Sequence, residues 1–127
     1  MNYSLKKIYL KGQESVEEFD NYSILDTVFR SYLDKDIMDI KNVSVIDNKT
    51  GNAISVLTLS YGTTVIYSVG DIVSLKRNKD AQFVIKRFDC YENCAYIEKI
   101  LDNGLAGGKE LCFGLESLEV VKRSKKK

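Results

Sequence analysis

Val69-Gly-Asp-Ile-Val-Ser-Leu-Lys76, Phe83-Val-Ile-Lys-Arg-Phe-Asp89, Ala95-Tyr-Ile-Glu-Lys-Ile-Leu101, Glu110-Leu-Cys-Phe113 and Glu119-Val-Val-Lys122 form five short runs rich in β-branched and aromatic residues. Polar punctuation separates them: Arg77-Asn-Lys-Asp80, Tyr91-Glu-Asn93 and the loop from Asp102-Asn-Gly104 to Lys109. Gly114-Leu-Glu-Ser-Leu118 reads as a single 3₁₀ turn before the last run. Turn signals at intervals of about ten residues are what a small all-β unit presents. The spacing predicts a five-stranded small β-barrel over residues 69–122, with the strand plan of a Src-homology-3-like fold.

Upstream, the pattern changes. Lys7 to Leu10 is a short strand candidate, closed by Lys11-Gly12. Ser15 and Glu18 fit a capping box. Val16, Phe19, Tyr22, Leu25, Val28, Phe29, Tyr32 and Leu33 then recur at three and four residues, which draws one helical stripe with acids opposite, breakable at Asp20-Asn21 or Ser23. From Asn42 the period is two. Val43–Ile46 and Ala53–Leu59 flank the turn-rich Asp47-Asn-Lys-Thr-Gly-Asn52, and Ser60-Tyr-Gly-Thr63 leads into a third strand at Thr64–Ser68. The fold class that follows is α+β: an N-terminal helix and antiparallel β-meander (residues 1–68) continuing into the small barrel (69–122), packed as one body because Tyr67-Ser-Val-Gly70 is too short for a linker. Residues 123–127 form a basic tail.

The C-terminal half resembles the YodC-type small bacterial proteins in Val69-Gly-Asp-Ile-Val-Ser-Leu-Lys76, in the following strand at Phe83-Val-Ile85 and in the closing Ser117-Leu-Glu-Val-Val121. Arg77-Asn-Lys-Asp80 stands where that family has Ser-Gly-Gly-Pro, and its central-strand tryptophan has no counterpart here. The resemblance covers residues 69–121. It implies a small β-barrel and brings no activity with it.

Composition narrows the chemistry. The chain of 127 residues has 19 Lys+Arg, 18 Asp+Glu, and neither histidine, proline nor tryptophan. Without histidine there is no Ser-His-Asp or Cys-His pair and no HExxH zinc site. The net charge of +1 hides a split: five of the last six residues are cationic, so the body is net acidic, and Glu14 to Asp39 holds eight acids against Arg30 and Lys35. A nucleic-acid binder presents a basic face. Lys122 to Lys127 read instead as a solvated, frayed end. No apolar run reaches the roughly 18 residues of a membrane span, and the N-terminus has no signal-like apolar block. Three cysteines, an odd count, fit a reduced cytoplasmic compartment rather than a disulfide framework. Lysine outnumbers arginine 15 to 4 and Asn, Ile and Tyr are abundant. That usage favours AT-rich codons and points to an AT-rich bacterium or one of its phages.

Three constellations resemble sites. Gly104-Leu-Ala-Gly-Gly-Lys109 is one residue short of a phosphate loop and has Glu110 where Ser or Thr must hold Mg²⁺. Asp34-Lys-Asp36-Ile-Met-Asp39 lacks the glycine and glutamate of a calcium loop. Cys90 and Cys94 bracket a turn and Cys112 lies on a neighbouring strand; three thiols without histidine fall short of a structural zinc site, and a Cys90–Cys94 bridge or simple burial are the alternatives. What remains is a mixture of aromatics and cations in the barrel: Arg87, Phe88, Tyr91, Asn93, Tyr96 and Lys109, with Lys86 beside them. Such a rim can clamp a flat or anionic ligand, or Phe88 and Tyr96 can fill the interior while Arg87 lays its stem along them.

The expectation is therefore a non-catalytic binding protein with no cofactor, contacting its target through loops 77–80, 89–93 and 102–109. Its size and composition fit a phage or mobile-element accessory protein with an anti-defence role, sequestering a nucleotide-like small molecule or blocking a host protein. Exposed edges and eight tyrosines favour a homo-oligomer. A nucleic-acid or ribosome-associated module is the alternative, and a metal-dependent hydrolase using carboxylates a more distant one.

Overall fold

Asp47 and Gly51 close the hairpin that organises the first half of the chain. The Asp47 carbonyl accepts the N–H of Gly51 at 2.7 Å, and its carboxylate accepts that of Lys49 at 2.9 Å. Gly51 sits at φ 78°, a backbone position where a side chain is strained. In this computed structural model, which describes residues 1–124, the hairpin joins strands β3 (Ile40–Asp47) and β4 (Asn52–Ser60). Tyr61 (φ 51°) and Gly62 (φ 83°) then make a two-residue turn into β5 (Thr63–Ser68). Two positive φ values match the twist of paired strands.

The N-terminal strand β1 (Tyr3–Tyr9) pairs antiparallel with β3 on one side and with β2 (Glu14–Phe19) on the other. The first sheet therefore has the order β2-β1-β3-β4-β5. Helix α1 (Tyr22–Ser31) follows β2; Asn21 caps it, its side chain accepting the Ile24 N–H at 3.2 Å. Leu25 and Phe29, one turn apart, are fully buried and pack with Leu5, Val43, Val45 and Leu57. Arg30 and Asp26 pair across the exposed side of the helix.

The second sheet has the order β10-β6-β7-β8-β9, from β6 (Ile72–Leu75), β7 (Asn78–Asp89), β8 (Cys94–Ile100), β9 (Ala106–Gly114) and β10 (Leu118–Lys122). A 3₁₀ turn at Leu115–Ser117 precedes β10. Val73, Phe83, Ile85, Ala95, Ile97, Leu115 and Leu118 are the buried apolar residues of these elements. The chain divides into two compact units, Met1–Ile66 and Tyr67–Lys127.

The α+β expectation, with an N-terminal helix leading into a five-stranded Src-homology-3-like barrel, is overturned. Among the described residues the chain is mostly strand, its one α-helix comes after two strands, and both sheets are open. Closure would need a ladder between β9 and β10. β10 makes its ladder with β6, and β9 is paired with β8 alone. The capping box is overturned as well. Ser15 and Glu18 lie in β2, held to β1 from Tyr3↔Phe19 to Ile8↔Glu14. Gly12 (φ 99°) makes the turn, and Val16, which a helical stripe needs inside, is exposed.

The second unit explains the Gly70-Asp71 opening of its first strand. Asp71 is 1% exposed. Its carboxylate accepts the backbone N–H of Ser124 at 2.6 Å and that of Ser68 at 2.9 Å, and Arg123 approaches it at 3.5 Å. Gly70 (φ 92°) passes so close to Ser124 that a Cβ would lie 3.0 Å from the serine hydroxyl. The start of the basic tail is therefore anchored rather than frayed: Lys122 belongs to β10, and Arg123 and Ser124 bind Asp71. Lys125, Lys126 and Lys127 lie outside the described residues.

Ser44 on β3 is fully buried, and its hydroxyl has no hydrogen-bond partner among the described residues. A buried unsatisfied hydroxyl costs about 1–3 kcal/mol. Ser44→Ala is expected to stabilise the chain by about 1 kcal/mol, read as a higher urea midpoint at unchanged slope. A lower midpoint would mean that the hydroxyl is bonded.

Candidate functional site

A bulge at Lys86 creates the site. On β7 and β8 the register runs Ile85↔Ile97 and then Arg87↔Tyr96, so β7 advances two residues while β8 advances one. Regular alternation would put Arg87 on the buried face with Ile85. The extra residue turns it outward, which is a recurrent use of β-bulges. Tyr96 in turn faces Cys112 on β9, so Arg87, Tyr96 and Cys112 form one row across three strands.

The Arg87 guanidinium carbon lies 3.7 Å from the centre of the Tyr96 ring. One guanidinium nitrogen also donates to a Glu110 carboxylate oxygen at 3.1 Å. Stacking of this kind is worth about 0.5–1 kcal/mol at an exposed position. The Arg87 side chain is 55% exposed, so its ion pair is screened and adds little. Asp89 lies opposite Cys94 at the same end of the row, and Glu92 follows in the turn. Arg87 thus pairs with Glu110, with the exposed Lys86 beside it in the bulge.

The sulfurs of Cys94 and Cys112 lie 3.1 Å apart. Cys94 is buried and Cys112 exposed. Burial first, and the interaction with Cys112 second, push the Cys94 thiol up to about 12. The Tyr96 hydroxyl is also raised, chiefly by charge at Cys112 and then by desolvation. Cys90 is half-buried, and the close sulfur pair is Cys94 with Cys112, which separates the turn-bracketing pair that the sequence places nearest.

The other residues of the aromatic and cationic mixture go elsewhere. Phe88 is paired with the buried Ala95, on the face opposite to Arg87, and is half-buried. Tyr91 is exposed in the β7–β8 turn, where Asp89 accepts its backbone N–H at 3.1 Å. Asn93 takes φ 53° there and lends its carbonyl to the Leu115 N–H at 3.0 Å. Lys109 is exposed, in the irregular stretch of β9 between Gly107 and Leu111. The three expected contact loops are also divided. The β8–β9 loop and the 90–93 turn lie at opposite ends of β8, roughly 20 Å apart, and Asn78–Asp80 of the third expected loop belong to β7 itself. A shallow depression lined by Lys99, Ile100, Leu101, Asp102 and Asn103 opens at the first of these ends.

Two members of the site have no signal in the sequence mixture. Glu110 appears there only as the residue that spoils a phosphate loop, and Cys112 only as the third thiol. Cys112 follows from the β8–β9 register, and Glu110 from its hydrogen bond with Arg87. Among the described residues no group of three or more acidic or cysteine side chains is placed to hold a metal ion, and no helix is long and apolar enough to cross a membrane. Comparison with protein-family models, with curated proteins and with solved structures gave no match in any of the three.

Proposed function

We propose that the protein is a non-catalytic binding protein that docks on a partner protein through the outer face of its second sheet, centred on Arg87 and Tyr96. The observation that carries this reading is the stacked Arg87–Tyr96 pair, 3.7 Å apart, with Arg87 exposed and Tyr96 half-buried on an open sheet. Arginine and tyrosine dominate the residues that supply protein–protein binding energy. Small ligands take concave sites instead. The carboxylates of Asp89, Glu92 and Glu110 disfavour a phosphate and suit a partner with a basic rim. The AT-rich residue usage supports an accessory protein of a phage or mobile element, whose partner is a host defence protein.

The test compares wild-type protein with Arg87→Ala in affinity capture from a bacterial host lysate, followed by titration of the purified partner. Arg87→Ala is expected to weaken that pair at least about tenfold, or roughly 1.4 kcal/mol. Equal affinities overturn the reading. A parallel melting screen against nucleotides is expected to show no stabilisation. A shift that Arg87→Ala abolishes would instead assign the site to a nucleotide.

A further inference from the structure

We propose that Cys94 and Cys112 are a peroxide-oxidisable dithiol that forms a reversible disulfide, stapling the edge strand β9 to β8. The pair is diagonal across one ladder: Cys94 faces Gly114, and Cys112 faces Tyr96. Both side chains stand on the same face, with the sulfurs 3.1 Å apart. A disulfide needs about 2.05 Å, so closure takes roughly 1 Å of movement. Side-chain rotation on an edge strand supplies that movement. Backbone pairing already holds the two strands in register, so the bridge closes no new loop and its effect is local.

The two thiols divide the chemistry between them. Cys112 is exposed and meets the oxidant, whereas Cys94 is 7% exposed, with its sulfur against that of Cys112. In the first step the Cys112 thiolate attacks a hydroperoxide such as H₂O₂. An S–O bond forms, the O–O bond breaks, and the departing hydroxide leaves as water with the thiol proton. In the second step the Cys94 sulfur attacks the Cys112 sulfenic acid: the S–S bond forms, the S–O bond breaks, and a second water carries away the Cys94 proton. Two thiols are oxidised by two electrons and one peroxide becomes two waters. Burial shields Cys94 from direct attack by oxidant, and its sulfur, 3.1 Å from that of Cys112, is placed to resolve the sulfenic acid.

Oxidation also changes the row above it. Charge at Cys112 is the first cause that raises the Tyr96 hydroxyl. A disulfide carries no such charge, and it ties β8 to the strand that holds Glu110 beside Arg87.

The experiment treats the full chain carrying Cys90→Ser with H₂O₂ and reads the intact mass and a non-reducing tryptic map. The expected result is a loss of about 2 Da, with the peptide 88–99 joined to the peptide 110–122. Dithiothreitol is expected to restore the starting mass. Cys94→Ser in the same background is expected to lose the bridge and to carry Cys112 on to sulfinic acid. A wild-type Cys90 bridge that disappears in Cys90→Ser overturns the proposal. So does gain of oxygen on Cys112 in Cys90→Ser without loss of hydrogens, or a bridge formed only between two chains.

Discussion

Phe29→Ala is expected to destabilise the first unit by about 4 kcal/mol, within the roughly 3–5 kcal/mol range of buried Phe→Ala substitutions. Phe29 is 1% exposed and lies in the cluster of Leu5, Val43, Val45 and Leu57. Helix α1 has ten residues, too few to persist alone in water, so its helicity depends on docking. Leu25 and Phe29 are its two buried side chains. Removing the larger one takes away half of the anchor and opens a cavity over β1, β3 and β4. In a unit of this size each kcal/mol lowers the melting temperature by about 4–8 °C, so a fall of more than about 15 °C is expected. Hydrogen exchange should locate the damage: α1 amides lose protection while those of β7 and β8 keep theirs. Phe29→Leu, which leaves most of the volume in place, should cost under half as much. A loss below about 1 kcal/mol for Phe29→Ala would mean that the helix does not depend on this contact.

The same helix shows where sequence patterns stop being decisive. Val16, Phe19, Tyr22, Leu25 and Phe29 fit a period of three to four, and the segment from Glu14 to Phe19 also tolerates a strand. Its fate depends on β1, which offers a free edge that Glu14–Phe19 fills. Strand preference of this kind comes from the neighbour and not from the segment. In the second unit each strand is bounded by polar or glycine-containing turns, and the five runs read in the chain all appear as strands. What those runs do not specify is closure, since an open sheet and a barrel share one order of short strands. The site was legible as a mixture and illegible as an arrangement. A single bulged residue, Lys86, sets whether Arg87 faces inward or outward. The bulge has no composition of its own, and neither does the β8–β9 register that brings Cys112 alongside Tyr96.

Asp71→Ala is expected to cost the second unit about 3 kcal/mol and to release the chain beyond β10. The Asp71 carboxylate is almost fully buried and accepts two backbone N–H groups, from Ser124 at 2.6 Å and Ser68 at 2.9 Å. Hydrogen bonds to a charged group contribute roughly 1.5–3 kcal/mol each. Part of that gain is offset in the native protein by the cost of burying the carboxylate, and alanine removes this cost. Alanine also leaves two N–H donors without their acceptor, which keeps the net change unfavourable. Arg123 contributes little: its side chain is 58% exposed at 3.5 Å from the carboxylate, and such pairs are worth under about 1 kcal/mol. Asp71→Asn separates these contributions. It keeps one oxygen acceptor, so one of the two backbone bonds survives and the expected cost falls to about half. Arg123→Ala, which spares both backbone bonds, should leave the urea midpoint nearly unchanged. Hydrogen exchange on the Ser68 and Ser124 amides gives a direct readout, since both should lose protection in Asp71→Ala before the strands of the sheet do. If the Ser124 amide keeps its protection in that variant, the clamp is not what orders the start of the basic tail.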